Sequence, residues 1–206
     1  MTDYFALLQE PRRPWLDPDA LKAKFQTLSA AVHPDRVHQA SSAEKHAANE
    51  RFAELNEAVN CLREPKERLL HLLTLETGAK PKEIQNIPNE AMELFAEVAK
   101  VCREADAVLA EKSQFTSPLM KVQFFQRGME WTDKLSALQG RLQSQRAQLL
   151  AELKTQNTTW DSAPPIGSPE RASALPLARL EQIYRTLSYL TRWANQIQER
   201  VVQLSL

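Results

Sequence analysis

Glycine is nearly missing from this chain, with four in 206 residues. Aromatics make up only 7% and β-branched residues are sparse, so tight hairpins and a pleated core have little material. Ala, Leu, Glu, Gln, Lys and Arg fill the space instead. These are strong helix formers, and an all-α fold is expected. An excess of charge is lacking too: 26 basic residues face 26 acidic ones. No global field therefore favours nucleic acid or a membrane surface as partner. The two cysteines, Cys61 and Cys102, are too few and too far apart for a disulfide framework or a CxxC zinc site. No apolar run approaches the roughly 18 residues of a bilayer span. The opening "MTDYFALLQEP" has neither the basic start nor the apolar stretch of a signal peptide. A soluble, reducing compartment, the cytoplasm, is the expectation.

The chain is long enough for one large domain or two small ones. Residues 1–78 read as four helical pieces. "DYFALL" is short, with Asp3 as a plausible N-cap. Asp17-Pro18 caps a second helix, along which Leu21, Phe25, Leu28 and Val32 recur at helical spacing. Pro34 ends it, because the residue before a proline is pushed out of the α region. A third helix carries Phe52, Leu55, Val59 and Leu62 on one face and ends before Pro65. A fourth, "KERLLHLLTLET", stops at Gly78.

Residues 79–88, with two prolines, read as a linker. The remainder, 89–206, shows heptad seams. Ile87, Leu94, Val101 and Val108 are spaced by seven; so are Leu135, Leu142 and Leu149, and Leu180, Leu187, Ala194 and Val201. Three such seams within one chain predict a coiled-coil-like three-helix bundle. A polar, proline-rich insert at about 155–176 interrupts it and is expected to be mobile or loosely draped.

Between the second and third helices stands "AAVHPDRVHQ", residues 30–39. An acid–base role for His33 and Asp35 finds no support, since no nucleophile with an oriented base and no glycine-rich phosphate loop accompanies them. His33 and His38 lack a specific metal-ligand spacing, and His46 has no carboxylate at motif spacing. No catalytic residue, metal or cofactor is therefore expected. The plainest alternative is a helix stop with solvated neighbours. Against it stands the context: an intact His-Pro-Asp trio between two amphipathic helices, after a short helix containing Tyr-Phe.

In these features residues 3–78 resemble a J-domain: "DYFALL", then "LKAKFQTLSAAVHPDR", then "FAELNEAVNCLREPKER". The helix "ERLLHLLTLETG" at its exit and the three-helix bundle behind it resemble the HscB family of iron–sulfur co-chaperones. That resemblance implies a non-enzymatic protein with two partners. One is a DnaK/HscA-type chaperone, whose ATPase the J-domain stimulates. The other is an IscU-type iron–sulfur scaffold protein, held by the bundle. On the chaperone side it points to His33, Pro34, Asp35 and Arg36, the last standing where the family usually has lysine, and to Lys22 and Lys24. A helix with only these two cations steers a partner weakly. On the scaffold side it points to apolar residues off the seams: Met92, Phe95 and Ala99 in one helix and Tyr189 in the last. The competing reading of Phe95 and Tyr189 is that they widen the bundle core. A general J-domain co-chaperone that delivers other clients through the bundle is the alternative function.

Overall fold

The computed structural model describes residues 1–33, 41–82, 87–112 and 118–205, with side chains from 124 onward in the last stretch. Among them there is no strand. The helices are α1 (Tyr4–Leu7), α2 (Pro18–Ala31), α3 (Ser42–Arg63), α4 (Pro65–Thr77), α5 (Met92–Lys112), α6 (Pro118–Asp161), α7 (Arg171–Ala174) and α8 (Leu177–Ser205). A 3-10 turn over Asn89–Ala91 leads into α5.

Local chemistry sets the helix ends. Asp3 Oδ1 accepts from the Phe5 and Ala6 N–H groups at 3.0 and 3.2 Å. Asp17 does the same for Asp19 and Ala20, and Pro18 supplies a preset φ in the first turn. A reciprocal pair of bonds between Ser41 and Glu44 starts α3; those bonds hold the Glu44 carboxyl below its ordinary pKa. Gly78 ends α4 at φ 75°, a left-handed geometry that favours glycine.

The chain divides into two compact units. The first comprises Met1–Glu83 and Leu150–Tyr184, the second Ile84–Leu149 and Arg185–Leu206. In the first, α1 and α2 pack on α3, burying Phe5, Leu8, Leu21, Leu55, Leu62 and Leu72. Two polar side chains are buried with them. Arg68 Nε donates to the Pro14 carbonyl at 2.9 Å and a terminal guanidinium nitrogen donates to Leu62 O at 2.6 Å, tying the α1–α2 loop to α4. His71 Nε2 accepts from the Tyr4 N–H at 3.1 Å, and its ring stacks on Tyr4 at 4.6 Å. That acceptor must be unprotonated, and burial, opposed in part by Asp3, lowers the imidazole pKa.

Segment 155–176 departs from the loose insert expected of it. Helix α6 continues to Asp161, and Trp160, Arg171 and Leu175 are buried. Asn157 exchanges two bonds with the Trp15 backbone: Oδ1 accepts from the N–H at 3.1 Å and Nδ2 donates to the carbonyl at 2.9 Å. Lys154 lies 4.6 Å over the Trp15 ring. Arg171 grips Glu76 in bidentate fashion at 2.8 and 2.9 Å and donates to Pro164 O at 2.7 Å. The side chains of this pair are only 9% and 3% exposed. Polar residues that read as loop composition are thus partners for specific groups on the N-terminal helices. Residues 150–184 accordingly group with those helices, although a boundary at 89 assigns them to the bundle.

In the second unit the seams close on one another. Leu94, Val98, Ala105 and Val108 of α5 are buried, as are Leu135, Leu138 and Leu142 of α6 and Leu187, Leu190 and Ile197 of α8. Glu97–Arg141 and Glu111–Arg127 pair α5 with α6. Arg200 holds Asp106 with two bonds at 2.9 and 2.7 Å, pairing α5 with α8. Beside the Ala194 position of the seam, which is half-buried, the buried residue is Trp193, 4% exposed.

Two outcomes follow for stability. Below the ordinary imidazole value of 6.5 the unfolded chain takes up a proton that folded His71 resists. His71 therefore favours folding least in acid: stability declines as pH falls through 6.5 and is regained above it. Urea midpoints at pH 5.5 and 7.5 will differ less in His71→Gln than in the parent. Arg171→Ala, which leaves the Glu76 carboxylate with Arg12 at 4.0 Å, is expected to cost about 3 kcal/mol in urea unfolding. Replacing both partners by Arg171→Met with Glu76→Leu will cost less than the single change, because no buried charge is stranded.

Candidate functional sites

Two surfaces carry the residues singled out from the sequence. The first is the end of α2. The helix closes at Ala31, and the Val32 N–H donates to Ser29 O at 3.2 Å. His33 follows, half-buried, with its ring edge-on to Phe52 of α3 at 5.3 Å and 79°. This contact fixes one wall of the imidazole at the start of the loop. Pro34, Asp35 and Arg36 lie outside the described residues.

The two lysines of α2 differ. Lys22 is exposed. Lys24 folds back on the α1–α2 loop, donating to Gln9 O at 2.7 Å and pairing with Glu10 at 2.9 Å. Its charge is committed within the chain, so only Lys22 of the expected pair projects as a free-standing cation from α2.

The second surface is on α5 and α8. Met92 and Phe95 are 50% and 39% exposed, one helical turn apart; Ala99 and Tyr189 are half-buried. Phe95 and Tyr189 are joined through a residue that the seam pattern missed. Trp193 lies 6.0 Å from Phe95 and 5.6 Å from Tyr189, ring to ring, each tilted by 34°. Arg192 sits 5.6 Å over the outer face of the Tyr189 ring. The result is an aromatic row with a buried indole supporting two partly exposed rings. Its signal in the sequence is the i, i+4 pairing of Tyr189 with Trp193. Core-widening describes Trp193; Phe95 keeps too much surface in water for that role.

Among the described residues no three His, Cys, Asp or Glu side chains cluster as a metal site. Burial pushes the Cys61 thiol up to about 11 and also raises the Cys102 thiol, so neither supplies a thiolate at neutral pH. No helix among the described residues is long and apolar enough to cross a membrane.

The family profile of the DnaJ domain matches residues 3–71, from the Asp3 cap to His71 in α4. Residues 3–71 are a DnaJ domain. The match contains His33, Pro34 and Asp35 and leaves α5, α6 and α8 outside. Beyond the DnaJ domain, likeness extends over the whole chain at the level of fold. The chaperone HscB from Vibrio cholerae aligns over 98% of this chain and 99% of its own, with 23% identity and a TM-score of 0.57. The human co-chaperone protein HscB aligns over 96% of this chain and 81% of its own, with 19% identity and a TM-score of 0.60. A DnaJ domain followed by a helical C-terminal part is the architecture this chain shares with both.

The aromatic row makes a direct structural prediction. Phe95→Ala will leave helicity unchanged in circular dichroism while increasing acrylamide quenching of the Trp193 emission. The change is expected to cost about 1 kcal/mol in unfolding.

Proposed function

We propose that this chain is an HscB-type J-domain co-chaperone with two docking surfaces and no active site of its own. Through His33, Pro34 and Asp35, together with Arg36 and with Lys22 nearer the start of α2, it engages a DnaK/HscA-type chaperone and stimulates its ATPase. Through Met92, Phe95, Ala99 and Tyr189 it holds an IscU-type iron–sulfur scaffold protein and delivers it to that chaperone. Its place of work is the cytoplasm. The observation that carries the reading is the DnaJ domain over residues 3–71, joined to a helical part in a fold shared with HscB.

The physical chemistry supports both contacts. A proline-stiffened loop presents an imidazole and a carboxylate at low ordering cost, and the carboxylate suits a partner arginine. Only one free lysine on α2 means little long-range steering. On the other surface, an exposed phenylalanine and methionine backed by a packed indole suit a dry, aromatic-anchored interface. Lys24 contributes by holding the α1–α2 loop, through Gln9 and Glu10, rather than by meeting the chaperone.

His33→Gln is expected to abolish stimulation of the chaperone ATPase while leaving the unfolding midpoint of the chain within error. Unchanged stimulation would remove the J-domain mechanism. Phe95→Ala combined with Tyr189→Ala should weaken scaffold binding, read by calorimetry, by about tenfold or more. A pull-down dominated by mixed unfolded clients rather than an iron–sulfur scaffold would favour the general co-chaperone instead.

A further inference from the structure

Three large apolar side chains at one end of the bundle stand in water: Phe125 and Met129 on α6 and Val202 on α8, 66%, 55% and 47% exposed. Phe125 and Met129 are one turn apart and share a helix face. Val202 comes alongside because α8 ends against Gly128, where an added Cβ would stand 3.4 Å from the Leu204 carbonyl. Farther along, Gln139 Nε2 donates to Gln198 Oε1 at 2.9 Å. The two helices thus run antiparallel, with the apolar patch beside their shared groove. Lys112 marks the same end of α5, donating to the Gln203 carbonyl at 2.8 Å and lying 5.3 Å over the Phe124 ring. The aromatic row of Phe95 and Trp193 belongs to the other end, about 25 Å back along α5. The patch is therefore a separate surface, and neither proposed contact uses it.

We propose that this patch docks a basic amphipathic helix of another protein, laid along the groove between α6 and α8. Two helices side by side leave a furrow in which a third packs at an axial distance of about 8–10 Å. An apolar stripe repeating at i, i+3, i+4 and i+7 then meets Phe125, Met129 and Val202 and excludes water from them. Charge selects the flanks of that stripe. Glu130, Asp133 and Glu199 are exposed around the patch and form no ion pair with another described residue. The neighbouring cations are engaged elsewhere. Arg127 pairs with Glu111 and Arg200 with Asp106, both toward α5, and Lys134 lies 4.2 Å over the Trp131 ring. An apolar centre with uncommitted carboxylates around it complements lysine and arginine beside an apolar stripe. The same carboxylates disfavour two other occupants. A second copy of the chain would set them against their own kind, and an anionic lipid surface would repel them.

The probe is a fluorescein-labelled peptide of repeated Lys-Leu-Lys-Lys-Leu-Leu-Lys units, titrated with the full chain by fluorescence anisotropy at low salt. One control peptide has the same composition with its leucines spread round the helix; the other has glutamate in place of lysine. The basic striped peptide is expected to bind about tenfold or more tightly than either control and to weaken as salt rises. Phe125→Ser with Met129→Ser removes the anchors, and Asp133→Lys with Glu199→Lys reverses the rim. Each pair should lower the affinity at least about fivefold with helicity unchanged, because all four side chains are exposed. Phe95→Ala should leave it unchanged. No binding at peptide concentrations on the order of 1 mM, equal binding of either control, or full affinity in either double variant would each overturn the proposal. A loss of affinity in Phe95→Ala would do so too, by putting the peptide on the aromatic row. So would a parent dimer in sedimentation that Phe125→Ser with Met129→Ser disperses, which assigns the patch to a second copy. Binding to phosphatidylcholine–phosphatidylglycerol vesicles that the same variant abolishes would overturn it in favour of a membrane.

Discussion

Glu76 is a carboxylate taken almost wholly out of water, and the N-terminal unit depends on what neutralises it. It lies in the last turn of α4, just past the residues matched as a DnaJ domain, yet its bidentate partner, Arg171, arrives from 95 residues away. Desolvating an ion pair is costly, and such a pair adds little to stability compared with a well-packed apolar substitute. Its effect is exclusive rather than strong: any arrangement that separates the partners strands a charge. Arg12 joins the same carboxylate to Asp3, and Asp3 in turn caps α1. One buried charge thereby links α1, the last turn of α4 and the segment after α6. The Asn157 amide, bonded to both polar groups of the Trp15 backbone, makes the same kind of demand with neutral groups.

The two proposed docking surfaces differ in how they are built. Just past the end of α2 the His33 ring is braced against Phe52 of α3. On α5 and α8 the exposed rings rest on Trp193, whose burial turns two separate surface aromatics into one row. Rigid backing lowers the ordering cost of binding. In both places an aromatic ring of one helix props a contact residue on another.

Much of this was legible because it is local. Asp17-Pro18, Gly78 and the heptad spacing each act within a few residues, so composition and periodicity place the helices to within about a turn. Met92 and Phe95 stood off the seam in the sequence and are exposed in the fold. What the sequence concealed is long-range pairing. Nothing local distinguishes an asparagine that meets Trp15 from one in solvent, and "TQNTTWDSAPPIGSPERASALP" therefore reads as loop. Lys24 likewise looks like a surface cation until Gln9 and Glu10 fold beneath it. A heptad count selects Ala194, whereas the fold buries the adjacent Trp193 against Phe95 and Tyr189.

Both units are assembled from two stretches of chain, interleaved in the order first, second, first, second. A ribosome releases such a chain in the wrong order for completing either one. When the α1–α4 helices have emerged, the Trp15 N–H and carbonyl still lack their side-chain partner and the Glu76 carboxylate has only Arg12 at 4.0 Å, until residues 157 and 171 follow. Closing a loop that long costs only slightly more entropy than closing a shorter one, since the penalty grows as the logarithm of length, but it delays the contact until those later residues have been made. Completion of the N-terminal unit is thus tied to residues 150–184: a product truncated before them lacks the Asn157 and Arg171 partners of Trp15 and Glu76.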